Sequence, residues 1–477
     1  MNITLVQIAN ACKGELFAED ICKEVKVKGV VIDSRKVEKD YLFIATVGER
    51  VDGHNFINTA FDQGAAAVLC EKNPDNPKGP YILVKDSFAA LKDIARWYRM
   101  QLNIKVVGIT GSVGKTSTKE FISSVLAQKY RVLKTEGNFN NEVGLPLTIL
   151  KIKDSHQVAV LEMGISDFGE MHRLSEIAKP DLCVITNIGQ CHLENLGSRE
   201  GILKAKSEIF DFMQEDGTVC INGDDDMLAT LKKVKGRVPI TFGLNPDNDV
   251  YARNKQSHGI FGSSCDIHIN SATNAANQSE CVLHTDISLP GEHMVLNALA
   301  AASVGSILGM SCEEIAAGLA TVQPIGGRSN IIRLDQWTVI DDCYNANPVS
   351  MKAAIDLLNL ADTKKIAILG DMFELGSKEK ELHEEVGKYA ASTNLDLLVC
   401  VGKLSLDIYN GASQIVRSNT MQSDNTASSL QLLYFSTREE LLKELHQIIN
   451  PRDTILVKAS HSMGFEDIVK ALVHPQN

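Results

Sequence analysis

Residues 104–126 run from the apolar stretch Ile104-Lys-Val106-Val107 through Gly108-Ile-Thr-Gly-Ser-Val-Gly-Lys-Thr116 to Phe121, Ile122, Val125 and Leu126 at helical spacing. A strand that passes through a glycine turn onto a helix N-terminus forms an anion cradle. The amides that open the helix lack carbonyl partners, and the macrodipole favours negative charge there. Such a unit belongs in a parallel sheet with helices on its faces. Lys115 and Thr116 open the predicted helix, with Lys115 placed to reach β/γ-phosphates and the Thr116 hydroxyl to ligate Mg²⁺. The usual spacing, Gly, any four residues, Gly-Lys-Thr, is missed by one position. Ile109 stands where the first glycine belongs, and Gly108 comes one step early.

The rest of the chain alternates in the same way. At 477 residues it is long enough for about three domains of ordinary size. A first block to residue 100 holds short β-rich pieces at Val30–Ile32 and Tyr41–Ile44. A second, 101–322, alternates strands and helices. A third, 323–477, begins near Pro324-Ile-Gly-Gly327 and places strands at Thr338–Ile340, Ile366–Leu369, Leu397–Val401 and Ile455–Val457. The expected fold class is α/β, with parallel sheets. Polar stretches at Ser271–Glu280 and Arg417–Ser429 read as surface loops or tips.

Ligands collect at the carboxyl ends of strands in open parallel sheets. Strand Ile104–Gly108 ends in the glycine loop, Val158–Leu161 in Glu162, and Leu182–Ile185 in Thr186-Asn187, with His192 five residues on. A phosphate loop, a carboxylate and an imidazole are thus delivered to one rim. Taken singly, Glu162 reads as a solvated rim carboxylate and His192 as a structural histidine; together they favour a site, because Mg²⁺ takes oxygen ligands beside phosphates.

Composition excludes several partners. A net charge of -12 argues against nucleic acid, which requires clustered Lys and Arg. Eleven cysteines without a Cys-x-x-Cys pair read as buried free thiols of a reducing, cytoplasmic compartment. Met294–Cys312 is uncharged, yet Asn297, Ser303, Gly305, Ser306 and Gly309 dilute it. It reads as an internal helix and not as a membrane span.

The stretch Asn138-Phe-Asn140-Asn141 before Gly144 and Pro146 is compatible with a turn or with amides that bind phosphate or a polar substrate. TGSVGKTST, NFNNEVGLP, LEMG, TNIGQCHLENLGS and KAKSEIF, in this order, resemble the Mur ligases of peptidoglycan synthesis, whose glycine loop has the same shortened form. Gly327-Arg328, IDDCYNANPVSM, ILGDMFELG, VKAS, Asp33-Ser34-Arg35 and Asp52-Gly53-His54 are similar to the members that add D-alanyl-D-alanine. The likeness covers essentially the whole chain.

The resemblance implies a small UDP-sugar-binding domain, a central P-loop ATPase domain and a C-terminal Rossmann-like domain. It assigns Gly111, Ser112, Val113, Gly114, Lys115, Thr116, Ser117 and Thr118 to ATP phosphates, and Asn297, Arg328, Asp342 and Asn345 to the nucleotide. Thr116, Glu162 and His192 fall to Mg²⁺. Lys206 aligns with a carbamylated lysine that would bind a second ion. Lys115, His192 and Lys206 carry the catalytic roles. Asp33, Ser34, Arg35, Asp52, Gly53, His54, Asn138, Asn140 and Asn141 are the substrate-binding candidates. One departure is His461, where these ligases usually have arginine; histidine lacks the bidentate fork of a guanidinium.

The chemistry implied is amide formation. ATP converts a carboxylate into an acyl phosphate, which an amine then attacks. The expected substrates are ATP, a UDP-N-acetylmuramoyl tripeptide and D-alanyl-D-alanine, bound by a monomer with hinges near residues 100 and 323. Alternatives are a third-residue-adding or folate-polyglutamylating ligase of the same superfamily, or a P-loop switch or motor ATPase.

Overall fold

The computed structural model describes every residue except 23, 49–50, 272, 274–278, 325, 423–429 and 475–477. The chain forms three domains, each built on its own sheet. In the first, strands follow the spatial order Glu15–Phe17, Tyr81–Leu83, Ala67–Cys70, Tyr41–Ile44 and Gly29–Val31, with only the first pair antiparallel. Helix Ser87–Gln101 closes this domain. Its inner face of Leu91, Ile94, Ala95 and Tyr98 packs into a core that continues into the central domain through Ala159, Leu161, Cys183 and Ile185.

That shared core runs past the position of one expected hinge. The Tyr98 hydroxyl donates to the Ile152 carbonyl at 2.6 Å, and buried Arg99 donates to the Ala178 and Lys179 carbonyls at 2.9 and 3.2 Å. Those carbonyls end helix Glu170–Ala178, where a cation is favoured by the dipole. The chain near residue 100, where the sequence suggested a hinge, is therefore clamped in this structure.

The central sheet carries the glycine loop. Strand β1 (Lys105–Thr110) precedes helix α1 (Lys115–Leu126), and β1 lies between β2 (Val158–Glu162) and β3 (Leu182–Ile185), all parallel. Alternate side chains serve opposite faces. Val107, Ile109, Val160 and Val184 meet α1, whereas Val106, Ala159, Leu161 and Cys183 meet the core shared with the first domain. Because neighbours join β1 on both sides, the topological switch point falls where β1 ends. Helix α2 (Arg199–Ser207) follows β3.

The far edge departs from the expectation of parallel strands. Val250–Ser257, Ser263–Ile269 and Cys281–Ile287 pair antiparallel. Apolar runs reveal strands, but direction depends on how the chain returns. The expected loop Ser271–Glu280 joins the last two of these strands, with 272 and 274–278 outside the described residues. Helix α3 (Glu292–Ile307) lies buried beside α1 on the same face of the sheet, as its Ala-rich composition predicts. Among the described residues no helix is long and apolar enough to cross a membrane.

In the third sheet, strands follow the order Asn330–Arg333, β4 (Thr338–Asp341), Thr454–Lys458, Lys365–Gly370, Leu397–Val401 and Gln431–Phe435, parallel after the first hairpin. The second expected loop, Arg417–Ser429, is helical as far as Gln422, and 423–429 lie outside the described residues. Nine cysteines are free thiols, and the sulfurs of Cys281 and Cys312 lie next to each other.

Candidate active site

The glycine loop is held from behind. A Cβ at Gly111 would fall 1.9 Å from Thr186 Oγ1, so only glycine allows this approach. Thr186 Oγ1 and Asn187 Nδ2 donate to the Val113 carbonyl at 2.6 and 3.0 Å, while the Val113 amide donates to Asn187 Oδ1 at 2.9 Å. Ser112 is equally engaged. Its amide donates to the Asn187 carbonyl, and its hydroxyl accepts from Gly189. These bonds leave the amides of Lys115, Thr116 and Ser117 as the open first turn of α1. Lys115 folds back onto the Gly111 carbonyl at 2.9 Å.

The loop opens on a cleft of about 890 Å³ lined from both the central and the C-terminal domains. Ser112 to Ser117, Asn138, Asn140, Asn141, Glu162, His192, Arg328, Asp342 and Asn345 face it. Three nucleotide candidates do not. Gly111 lies behind the loop, and the Thr118 hydroxyl donates instead to Asn297 Oδ1 at 2.8 Å, tying α1 to α3. Asn297 Nδ2 in turn donates to Met294 Sδ on its own helix. None of Asp33, Ser34, Arg35, Asp52, Gly53 or His54 lines the cleft either.

Those first-domain motifs have clear local roles. Asp33 caps the turn Ser34–Lys36 and accepts both ends of the Arg35 guanidinium at 2.9 Å, which holds its carboxyl below the usual range. His54 Nε2 accepts from the Glu71 amide at 2.9 Å, so Nδ1 carries the proton toward Asp52 at 2.6 Å. Both imidazole nitrogens are thereby used inside the domain. A Cβ at Gly53 would meet the Thr46 backbone at 2.8 Å. Asn141 is similarly committed, its Oδ1 accepting from the Val143 and Gly144 amides.

Glu162 sits at the end of β2, 1% exposed. Its Oε1 accepts from Thr116 Oγ1 at 3.1 Å and Asn140 Nδ2 at 2.9 Å, whereas Oε2 is buried without a hydrogen-bond donor. A buried carboxylate oxygen left open is costly unless a cation completes it. Among the described residues no three His, Cys, Asp or Glu side chains cluster at metal-binding spacing. An ion at Glu162 therefore needs the Thr116 hydroxyl, phosphate oxygens and waters, a donor set that suits Mg²⁺.

His192 adopts a left-handed backbone (φ 53°) ahead of a short helix, Leu193–Leu196. Its Nδ1 lies 2.5 Å from Glu374 Oε2 of the C-terminal domain. The peptide at Ile188, on the same loop, is gripped at both ends. Its amide donates to Asp225 Oδ2 at 2.8 Å, and its carbonyl accepts from Arg199 Nε and Nη2 at 3.1 and 2.9 Å. On α2, Lys206 is 1% exposed, and its ammonium has no hydrogen bond or ion pair among the described residues. Burial, with a smaller effect from Lys115, pushes its pKa down to about 8.

Across the cleft, the turn Gly327–Ser329 is pinned to the end of β4. Gly327 and Ser329 amides donate to Asp341 and Asp342 at 2.8 Å. Arg328 consequently stacks over Tyr344, 4.1 Å from its ring. Lys458, buried, donates to Asp342 Oδ2 at 2.6 Å and the Asn345 carbonyl at 2.9 Å, so both candidate nucleotide residues are held by one ammonium. His461 is mostly exposed, beside Tyr344 and 3.4 Å from Glu466.

His293 and Arg199 line the cleft with no signal in the sequence, and Lys458 of the VKAS stretch lines it too. His293 opens α3 half-buried at the cleft wall, with desolvation holding its pKa below the ordinary value. A lone histidine or arginine in a helix carries no spacing signal, so only packing reveals it.

A shortened phosphate loop at a switch point, with a carboxylate beside the loop threonine and a second domain across the cleft, defines a P-loop nucleotide-dependent enzyme of the α/β class. The matching families are the Mur ligase family catalytic domain over residues 26–99, the Mur ligase middle domain over 109–305 and the Mur ligase glutamate ligase domain over 327–461. The chain belongs to the Mur ligase family. It is similar to the UDP-N-acetylmuramoyl-tripeptide--D-alanyl-D-alanine ligase of Bacillus subtilis (strain 168), 38% identical with 98% of each chain covered. A crystal structure of MurF from Acinetobacter baumannii superposes with a TM-score of 0.86 at 30% identity, covering 99% of both chains. A MurF ligase from Thermotoga maritima in complex with ADP gives 0.77 at 29%, covering 95% of this chain and 97% of that one.

Proposed function

We infer that this chain joins D-alanyl-D-alanine to a UDP-N-acetylmuramoyl tripeptide with ATP, giving the pentapeptide, ADP and phosphate. The observation that carries the reading is the cleft itself, in which the open first turn of α1 and Glu162 face Arg328, Asp342 and Lys458 of another domain. Full-length likeness to a named ligase of that specificity supports the choice of substrates. A switch or motor ATPase would turn over ATP without any amine acceptor, and it accounts for neither Lys206 nor the Asp33 and Asp52 motifs.

The residues divide the work. The amides of Lys115 to Ser117 and the Lys115 ammonium hold the β- and γ-phosphates. The tripeptide carboxylate attacks the γ-phosphorus, ADP leaves, and an acyl phosphate results. The dipeptide amine then attacks its carbonyl carbon, loses a proton and expels inorganic phosphate. Arg328 and Lys458, brought by the C-terminal domain, neutralise the transferring phosphoryl group and exclude water, which would otherwise hydrolyse the acyl phosphate.

Thr116, Glu162 and His192 would hold Mg²⁺, with a second ion at a carbamate on Lys206; Mg²⁺ supplies charge neutralisation at the phosphates. Lys206 fits carbamylation because a buried amine with a pKa of about 8 is neutral in about a tenth of molecules at pH 7 and about half at pH 8, far more often than an exposed lysine. Residues 1–100 are read as the UDP-sugar domain, 101–322 as the ATP domain and 323–477 as the ligase domain, acting as a cytoplasmic monomer. Asp33–Arg35 and Asp52–His54 shape the first-domain surface that the UDP moiety would use.

Phosphate release and product mass, measured with ATP, the tripeptide and either D-alanyl-D-alanine or single amino acids, test the reading. Turnover must require the dipeptide. ATP hydrolysis that is indifferent to any amine overturns it.

A further inference from the structure

Lys119 lies one turn beyond Lys115 on α1, on the side turned away from solvent, and is 2% exposed. Its ammonium donates to the Thr135 carbonyl at 2.7 Å. It also stands 3.2 Å from Glu120 Oε1 and 3.8 Å from Glu162 Oε2. The last distance is too long for a hydrogen bond, so Oε2 has an ionic neighbour but no donor. Thr116 and Asn140 already orient Glu162 through Oε1, which leaves Lys119 a purely electrostatic hold on the other oxygen.

We propose that Lys119 makes divalent-cation binding at Glu162 conditional on the nucleotide. This rests on the reading of Glu162 as the cation's carboxylate. A cation arriving alone would place two positive charges beside a buried ammonium, where repulsion is screened several-fold less than in water. A triphosphate on the first turn of α1 supplies the negative charge that offsets both. The cation therefore enters with the nucleotide, and without it Lys119 stands as the charged neighbour of buried Glu162. Lys119 touches no substrate and is a positioning residue. Glu120 moderates it from the far side and is itself paired with Lys134.

The test is Mn²⁺ binding to the full chain, followed by electron paramagnetic resonance at pH 8, with and without the non-hydrolysable nucleotide AMP-PNP. Wild-type protein is expected to bind Mn²⁺ weakly alone and tightly with AMP-PNP, the latter lost in Glu162→Gln. Absence of that Glu162-dependent binding removes the underlying site reading. Given that binding, Lys119→Met is expected to tighten Mn²⁺ alone by about 10-fold or more and to collapse the ratio between the two conditions. Glu120→Gln, at a partly exposed position, is expected to shift Mn²⁺ alone the opposite way, by about 2- to 5-fold. A purely structural role would not move the two variants in opposite directions. Unchanged or weaker Mn²⁺ binding in Lys119→Met, or a shift of both variants the same way, overturns the proposal. Should Lys119→Met fail to fold, an unmoved Glu120→Gln overturns it alone.

Discussion

His192 Nδ1 and Glu374 Oε2 stand 2.5 Å apart, an imidazole of the central domain against a carboxylate of the C-terminal domain. His192 holds the Glu374 carboxyl below its ordinary pKa. Nearby, Gly376 approaches the Glu194 backbone so closely that a Cβ there would lie 3.1 Å from its Cα. The contact joins two domains at the loop that carries a candidate cation ligand. A carboxylate on that imidazole competes with a cation for it.

Glu374→Gln should therefore lower the Mg²⁺ concentration that gives half-maximal rate. Glu374 is more than half exposed, and exposed pairs contribute up to about 1 kcal/mol, so the shift should not exceed about fivefold. A Mg²⁺ titration of the initial rate measures it. A raised Mg²⁺ requirement would show instead that Glu374 supports the site.

Lys206 gives the pH dependence. Burial lowers its pKa from 10.5 to about 8, so the neutral amine, the form that takes up CO₂, increases as pH rises through 8. The carbamate resonance of protein equilibrated with ¹³C-bicarbonate should grow between pH 7 and 8.5 and be missing from Lys206→Ala. Undiminished turnover in Lys206→Ala would remove the special role.

Arg199 grips the Ile188 carbonyl twice and is anchored by Asp226. Arg199→Ala should release the loop that holds both Ser112 and His192. The expected loss is about 10- to 100-fold in kcat/KM for ATP, as misplacement of a bound group produces. Melting temperature should change little, because the side chain lies at the cleft. Steady-state kinetics and a thermal scan separate the two effects.

Arg99 tests the clamped junction. Arg99→Met removes charged hydrogen bonds to the Ala178 and Lys179 carbonyls and should cost about 3 kcal/mol in denaturant unfolding. Limited proteolysis near residue 100 should be slow in the wild type and fast in the variant. Rapid wild-type cleavage there would restore the hinge.

Much of this protein is legible in its order of residues. The run Val106–Gly111 followed by Gly114-Lys115-Thr116 specifies strand, loop and helix locally, through apolar alternation, positive-φ glycines and an open helix end. Helix α1 begins at Lys115 for that reason. Glu162 and His192 were legible because strand ends in a parallel sheet share one rim.

Tertiary packing alone decided the rest. The family resemblance points Thr118 and Asn297 at the nucleotide, yet in the structure they satisfy each other between two helices. His54 is consumed by Asp52 and the Glu71 amide. Lys119 carries no signal at all in sequence, since a lysine four residues after another reads as a solvated helix face. Periodicity reports which local form a segment takes. Whether a polar atom faces a ligand, a neighbour or nothing depends on what distant segments bring to it, because each buried donor and acceptor must find a partner in space.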